Sequence, residues 1–503
     1  MQERDLFFVI PTYRLREVGE TVELYDDHFW RNGHSVPIVV FDDSSPANQE
    51  KYYSLVERTA THNELYYVGP REKEQFIAYL NRRLRDKRLQ GLVKSLFRPS
   101  YGGNRNYTLI YTLGGLIVSA DDDMRPYALM EHSPESLEAD EICRGRLHRT
   151  GENGHGRKSF DILTSFRDVL GKTPGQAPDN YERGELVIDT AMDLETNATT
   201  GLKRENSLLL QRDSLPDDAV IKMAQTFRSG TNDIDAIDYV EMFLEDDQQI
   251  DPADLNDFYV LENFRPVVTK KNWRMDCGVA GYDNTFGLPP FFSTHLRCED
   301  YIYRLWIQQE GICSAHVDAA QNHTKSNYMR NPPAAEILNE EVSNLLKRKI
   351  KGSLCAGTGG GGDGVKPGAG GALRLFAANL HKAFYAFEPD FFQHNLLRIV
   401  DDVVSVIKGS LQLWPTLVEI CYFQKSRNGL PQCVSAISKS EWRMSCASRS
   451  PDGAASRQWT SPRTGPGFTA KGVASGQSEL SARSGPLRTN SSLTRLPKQI
   501  CLF

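Results

Sequence analysis

Gly115-Leu-Ile-Val-Ser-Ala-Asp-Asp-Asp123 is the stretch on which the fold turns. Leu116 to Ala120 form a short run with no alternation of apolar and charged positions. A run of that kind suits a strand buried on both faces, and such strands belong to parallel sheets covered by helices. It stops abruptly against three carboxylates. In open α/β sheets, ligands gather at the C-terminal ends of the strands, so the position of those acids matters as much as their number.

Three further apolar runs lie upstream. Leu6-Phe-Phe-Val-Ile10 stops at Pro11-Thr12, Ile38-Val-Val-Phe41 at Asp42-Asp43, and Leu65-Tyr-Tyr-Val68 at Gly69-Pro70. Between the first two, Val18, Val22, Tyr25 and Phe29 recur at helical spacing, and Gly33 offers a stop. Strands alternating with helices predict a mostly parallel, right-handed α/β sheet flanked by helices. Its polar strand ends, Pro11-Thr12, Asp42-Asp43 and Asp121–Asp123, then share one rim.

Downstream the rhythm changes. Residues 130–262 are acidic and loop-rich and read as an insertion on a core whose halves are 1–129 and 263–350. Strand character returns at Pro266-Val-Val-Thr269 and around Gly278-Val-Ala-Gly281, and a helix is predicted from Glu299-Asp300, with Tyr301, Ile302, Leu305 and Trp306 on one face. Residues 351–372 carry a glycine run. It lacks both a preceding strand and a Gly-Lys-Ser/Thr ending, so it reads as a linker rather than a phosphate loop. Residues 373–436 predict an amphipathic helical appendage that suits a membrane surface, a partner or the core itself. The Ser-, Arg- and Gly-rich stretch 437–503 predicts disorder.

The bulk numbers exclude some classes of function. The 503 residues are 25% charged and 40% hydrophobic, with a net charge of −6. No global basic field attracts nucleic acid, so none is expected as a partner. Charged residues interrupt the best apolar stretch, Leu396 to Phe423, and the N-terminus lacks a secretory pattern. Nine cysteines without a Cys-x-x-Cys pair fit a reducing compartment. A cytoplasmic setting is expected, with peripheral contact at the inner face of a membrane left open.

Asp121 and Asp123, one residue apart on a turn, can share a divalent cation. Mg²⁺ and Mn²⁺ take oxygen ligands and keep positions open for diphosphate oxygens. Trp273, Tyr282, Phe286, Phe291 and Phe292 cluster before Glu299-Asp300. Aromatic faces stack on sugar rings, so these residues form a candidate acceptor wall, with ordinary core packing the equal alternative. Asn232 to Glu241 has alternating acids but no sharp-turn glycine, and is not a calcium loop.

Phe8-Val-Ile-Pro-Thr-Tyr13, Val39-Val-Phe-Asp-Asp-Ser-Ser45, Gly103-Asn-Arg-Asn106 leading into Asp121-Asp-Asp123, and Arg297-Cys-Glu-Asp300 together resemble the motifs of family 2 glycosyltransferases with the A-type (GT-A) nucleotide-sugar-binding fold. The resemblance covers residues 5 to about 125 and 265 to about 330 and leaves the insertion unmatched. It implies transfer of a sugar from a nucleoside-diphosphate donor to a hydroxyl acceptor (a glycan, a lipid-linked acceptor or a small molecule), with inversion. Pro11, Thr12, Tyr13 and Arg14 are implied as the donor turn, Asp42 and Asp43 near the nucleotide, and Asn104, Arg105 and Asp122 on the donor side. Asp121 and Asp123 are implied as metal ligands completed by His323, with His316 as the competing histidine.

Asp300 is implied as the base, a role that a carboxylate also suits chemically, while Glu299 is expected to orient the acceptor. A helix start would favour both acids as well. Arg14 and Arg105 can reach a diphosphate with their planar forks, or equally pair with rim aspartates. Lys325 is a weaker candidate for diphosphate. The alternatives are a sugar-phosphate nucleotidyltransferase, a retaining glycosyltransferase, and a scaffold that kept the fold without catalysis. The first fits poorly, because Pro11-Thr-Tyr-Arg14 lacks a glycine-rich loop.

Overall fold

The computed structural model describes residues 5–130, 141–149, 157–188, 207–211, 215–226, 230–231, 258–270, 277–286, 288–291, 299–300, 303–304, 307, 311–319, 321–323, 407–409, 411–428 and 437–438. All of them fall in one compact unit, Met1–Arg449. The expected linker (351–372), the tail beyond 438, Trp273, Phe292, Lys325 and the Asn232–Glu241 stretch lie outside the described residues, as do Tyr301, Ile302, Leu305 and Trp306.

The four apolar runs of the N-terminal part are strands: β1 (Leu6–Thr12), β2 (Ile38–Asp42), β3 (Leu65–Val68) and β4 (Leu116–Ala120). They alternate with α1 (Leu15–Arg31), α2 (Gln49–Arg58), α3 (Pro70–Arg83), α4 (Lys87–Leu96) and α5 (Tyr101–Tyr111). Helix α1 buries Val18, Val22, Tyr25 and Phe29, the stripe its spacing predicts, together with Thr21, Asp26 and His28. Gly33 follows with φ of 75°, a left-handed conformation that glycine adopts without a Cβ penalty.

Later strands are β5 (Tyr127–Met130), β6 (Glu141–Arg149), β7 (Arg157–Ser159), β8 (Glu182–Arg183), β9 (Glu185–Ile188) and β10 (Ser207–Gln211). They are followed by β11 (Ile221–Gln225), β12 (Gly230–Thr231), β13 (Phe258–Phe264), β14 (Val267–Thr269), β15 (Val279–Asp283), β16 (Cys313–His316) and β17 (Ile437–Ser438). Helix α6 (Ile162–Arg167) lies between β7 and β8, and α7 (Trp414–Asn428) precedes β17.

Ten strands form one sheet in the order β17-β3-β2-β1-β4-β15-β11-β16-β14-β8. Strands β3, β2, β1 and β4 are mutually parallel, and β15 runs antiparallel to β4. From β1 the chain proceeds outward to β2 and β3, then returns to place β4 on the other side of β1. That reversal of strand order opens a crevice at the C-terminal ends of β1 and β4.

Successive side chains point to opposite faces, so the sheet feeds two cores. Phe8, Ile10, Ile38 and Val40 pack with residues of α1, α2 and α6. Phe7, Val9, Val39 and Phe41 pack with residues of α3, α4, α5 and α7. The result is a mixed α/β architecture, a large, mostly parallel sheet between helical layers, as the sequence predicts.

The segment 130–262 departs from its reading as a stretch without strand rhythm. It supplies β6, β9, β10, β12 and β13, which form a second, antiparallel sheet in the order β12-β13-β6-β10-β9. It also supplies β11, which lies inside the main sheet between β15 and β16. Ile221-Lys-Met-Ala-Gln225 is too short to announce itself. Neighbours on both edges decide its conformation, and such pairing outweighs local propensity.

The C-terminal helix docks on the core. Ile407, Leu413, Trp414, Leu417 and Cys421 are buried with the α3–α5 layer, and Trp414 Nε1 donates to the Leu288 carbonyl at 2.7 Å. Ile437–Ser438, expected to open the disordered tail, instead pairs with β3. Among the described residues no helix is long and apolar enough to cross a membrane. Cys277, Cys313 and Cys421 are buried.

Candidate functional site

Strand β4 ends at Ala120 and the chain turns at once. Asp121 N donates to Gly278 O at 2.9 Å and Met124 N to Asp121 O at 3.1 Å, so the three carboxylates sit in a tight turn beside the entrance to β15. Met124 forms an antiparallel bridge with His323, and Arg125 N donates to Asn322 O at 2.9 Å. Backbone pairing therefore brings His323 to the acidic turn. His316, the competing histidine, lies fully buried on β16 beside the Gln225 side chain.

Each carboxylate of the turn meets a cation. Asp122, 1% exposed, accepts from Thr12 Oγ1 at 2.6 Å and Arg14 Nε at 2.9 Å. Arg14 Nη2 reaches Asp122 as well and lies 2.8 Å from Asp123 Oδ2. The other Asp123 oxygen is 3.9 Å from His323 Nδ1. Asp121 accepts from Arg105 Nη2 at 2.9 Å, while Arg105 Nε donates to Glu299 at 3.2 Å. Of the two roles open to Arg14 and Arg105, the structure displays the ion pairs with rim aspartates.

The electrostatics separate the three acids. Burial, reinforced by Asp123, Asp122 and Glu299, pushes the Asp121 carboxyl up to about 7 against the pull of Arg105. Burial raises Asp122 too, and its bonds from Arg14 and Thr12 only partly offset this. Burial also acts on Asp123, but His323 and Arg14 outweigh it and hold that carboxyl below the usual range. Four carboxyl groups, Asp121, Asp122, Asp123 and Glu299, share two guanidinium groups, with His323 beside Asp123.

The donor chemistry suits a hard divalent cation at Asp121 and Asp123, with His323 beside them. As the side chains stand, no three His, Cys, Asp or Glu among the described residues form a group able to hold a metal. Asp122 is fully engaged inside the protein and serves to anchor the turn.

On the side of β2 the structure corrects one expectation. Asp42, expected to face a nucleotide, is completely buried: Oδ1 accepts from Ser44 N and Oδ2 from Tyr67 Oη, each at 2.7 Å. It fixes the end of β2 from within. Thr12 likewise turns inward, 3% exposed, onto Asp122. Asp43 stays near the surface and pairs with Lys73 Nζ at 3.1 Å. Asn104 donates to Phe41 O and accepts from Lys73 at 2.7 Å, so it ties α5 to β2. Pro11, half-buried, lies within β1, whereas Tyr13 is exposed and packs edge-on against exposed Tyr101, 5.8 Å between centroids.

The acceptor wall is corrected in part. Tyr282 and Phe291 are buried in the core, Tyr282 donating to Cys277 Sγ at 3.4 Å and Phe291 stacking on Tyr303 at 3.8 Å. An aromatic reads the same on paper whether it faces a ligand or the interior, and here the core claims both. Phe286 is 74% exposed. Glu299 is buried against Arg105, and Asp300 beside it is half-buried. Burial raises the Cys277 thiol well above its ordinary value, and Asp300 adds to that.

Lys73 is the residue the sequence reading missed. Its ammonium donates to Asp42 O, Asp43 and Asn104 and lies 4.9 Å from the Tyr107 ring centre, so one buried charge joins three elements of the rim. The signal was present: Lys73 shares an i, i+3, i+7 stripe with Phe76 and Leu80, the buried face of α3. A lysine within such a stripe needs buried acceptors. Tyr67 and Thr21, whose hydroxyl reaches the Asp122 carbonyl, are further supports that no motif announced.

No protein-family model and no curated protein matches this sequence.

Proposed function

We propose that this chain is a glycosyltransferase of the GT-A type, which moves a sugar from a nucleoside-diphosphate donor to a hydroxyl acceptor with inversion. One observation carries the reading. Asp121, Asp123, Arg14, Arg105, His323 and Glu299, from five separate stretches of sequence, converge where the strand order reverses between β1 and β4. A Rossmann-like sheet places its nucleotide ligand at that position.

In this reading the exposed Tyr13 and the near-surface Asp43 border the nucleotide. Arg14 orients the diphosphate, Arg105 holds Asp121 and Glu299 in place, and Asp121, Asp123 and His323 hold Mn²⁺ or Mg²⁺. The ion supplies neutralisation of the charge that builds on the leaving diphosphate. Asp300 takes the proton from the attacking acceptor hydroxyl, and Glu299, held by Arg105, sets the position of that segment.

A non-catalytic binding protein draws on a single observation, that all three turn carboxylates already have cationic partners. Thermal unfolding of the full chain with UDP, GDP and related diphosphates, with and without Mn²⁺, tests the enzyme reading. A metal-dependent rise in Tm for one diphosphate supports a donor site. Turnover of the matching nucleotide-sugar that is unchanged in Asp300→Asn would discredit the base; no turnover by the wild type despite binding would favour the non-catalytic protein.

A further inference from the structure

We propose that Arg14 is an internal cation that competes with the divalent metal for Asp123 and is released from it by the donor diphosphate. The proposal rests on the donor-site reading above. It begins from an asymmetry in the ion-pair cluster. Arg105 is enclosed: its side chain is 9% exposed, it bridges Asp121 and Glu299, and its guanidinium carbon lies 5.8 Å from the Phe291 ring centre. Arg14 is 22% exposed and spans one deep and one partly exposed carboxylate, Asp122 at 1% and Asp123 at 16%.

The deep half of that bridge is fixed. Asp122 is held by Thr12 through its side chain and by Thr21 through its carbonyl, and Arg14 Nε anchors on the same carboxylate. The open half is a single contact, Arg14 Nη2 to Asp123 Oδ2 at 2.8 Å. Each arginine holds one oxygen of the carboxylates that a shared metal would use, Arg105 on Asp121 Oδ1 and Arg14 on Asp123 Oδ2, and a divalent cation brought between them meets their like charge. When the Arg14–Asp123 contact breaks, the more exposed of the two arginines keeps Asp122, and Asp123 keeps His323 beside it. A diphosphate entering the crevice offers the freed guanidinium edge two oxygens in the geometry it prefers.

The consequence is thermodynamic coupling. Metal alone binds against the charge of Arg14, whereas metal with diphosphate binds without that penalty, so each ligand tightens the other by the same factor. Arg14 is thus a positioning residue that makes the site respond to the pair of ligands.

The test is titration of the full chain with Mn²⁺, following free Mn²⁺ by electron paramagnetic resonance, with and without UDP or GDP. In Arg14→Gln, Mn²⁺ alone is expected to bind about tenfold more tightly than in the wild type, and the gain from nucleotide to shrink by a similar factor. Arg14→Lys, which keeps the charge, should stay near the wild type. Because Arg14→Gln leaves Asp122 buried without its partner, the double variant Arg14→Gln/Asp122→Asn neutralises the pair together and should show the same tightening. Equal or weaker Mn²⁺ binding in the folded neutral variants, with the wild type still binding nucleotide and metal, overturns the competition and leaves the donor site standing. Failure of every form, the wild type included, to bind Mn²⁺ or nucleotide overturns both.

Discussion

Arg14 Nε donates to Asp122 Oδ1 at 2.9 Å across 108 residues of sequence, joining the end of β1 to the turn after β4. Asp122 is 1% and Arg14 22% exposed, so the pair is buried at its carboxylate end; its net stabilisation is small, and its disruption leaves a buried side chain short of its partner. Asp122→Asn leaves the guanidinium without its principal partner. Because Arg14 is 22% exposed and keeps Asp123, a loss of about 1–3 kcal/mol in urea unfolding is expected. A loss within experimental error would mean that the turn does not depend on this pair.

The end of β2 depends on a glycine. Tyr67 Oη reaches Asp42 by passing over Gly69, where an added Cβ would meet that hydroxyl at 2.2 Å. Gly69→Ala must displace Tyr67 and leave a buried carboxylate oxygen without its donor. The expected cost is about 1–3 kcal/mol, together with weakened nucleoside diphosphate affinity through the Asp42–Asp43 segment. Unchanged stability in Gly69→Ala would show that Tyr67 relaxes freely.

Acid stability carries a signature of Asp161. Its carboxylate accepts from Thr164 N at 3.1 Å and Thr164 Oγ1 at 2.6 Å, and both oxygens lie 2.8 Å from His34 Nε2. Burial acts to raise its pKa, but the Thr164 and His34 bonds outweigh it and hold the group below its ordinary value. A carboxylate depressed in the folded state stabilises above the unfolded value of about 3.9, and that stability is lost as pH falls further. Below pH ~4 the wild type should therefore lose stability more steeply than Asp161→Asn, which keeps an N-cap of similar quality. Parallel pH profiles would contradict the assignment.

The docked C-terminal helix is tested by Trp414→Ala. The indole is buried beside Phe97, 6.2 Å between ring centres, and donates to Leu288 O. Removing it should cost about 3–5 kcal/mol and lower Tm. No change in Tm would mean that the helix contributes nothing to the core.

Much of the frame was legible in the sequence. The apolar runs at Leu6, Ile38, Leu65 and Leu116 each became a buried strand, because a strand covered on both faces tolerates few other patterns. The acidic turn and its rim followed from the same rule. Strand β11 was not legible, since its five residues take their conformation from β15 and β16. Direction of side chains was also hidden: Asp42 and Asp43 are adjacent, yet Asp42 ends β2 facing inward to Tyr67, while Asp43, just past the strand, turns to Lys73. Tyr282 and Phe291 went to the core for a like reason, and the fate of Trp273 lies outside the described residues.

The central claim is that the turn at Asp121–Asp123 is a metal-assisted site for a nucleoside diphosphate. Calorimetric titration of the full chain with UDP and with GDP, each with and without Mn²⁺, addresses it most directly when repeated on Asp121→Asn/Asp123→Asn. We expect one diphosphate to bind the wild type only with Mn²⁺ present, and the folded double variant to lose that binding. A wild-type chain that unfolds cooperatively yet binds neither diphosphate, or a double variant that binds as tightly as the wild type, would contradict it.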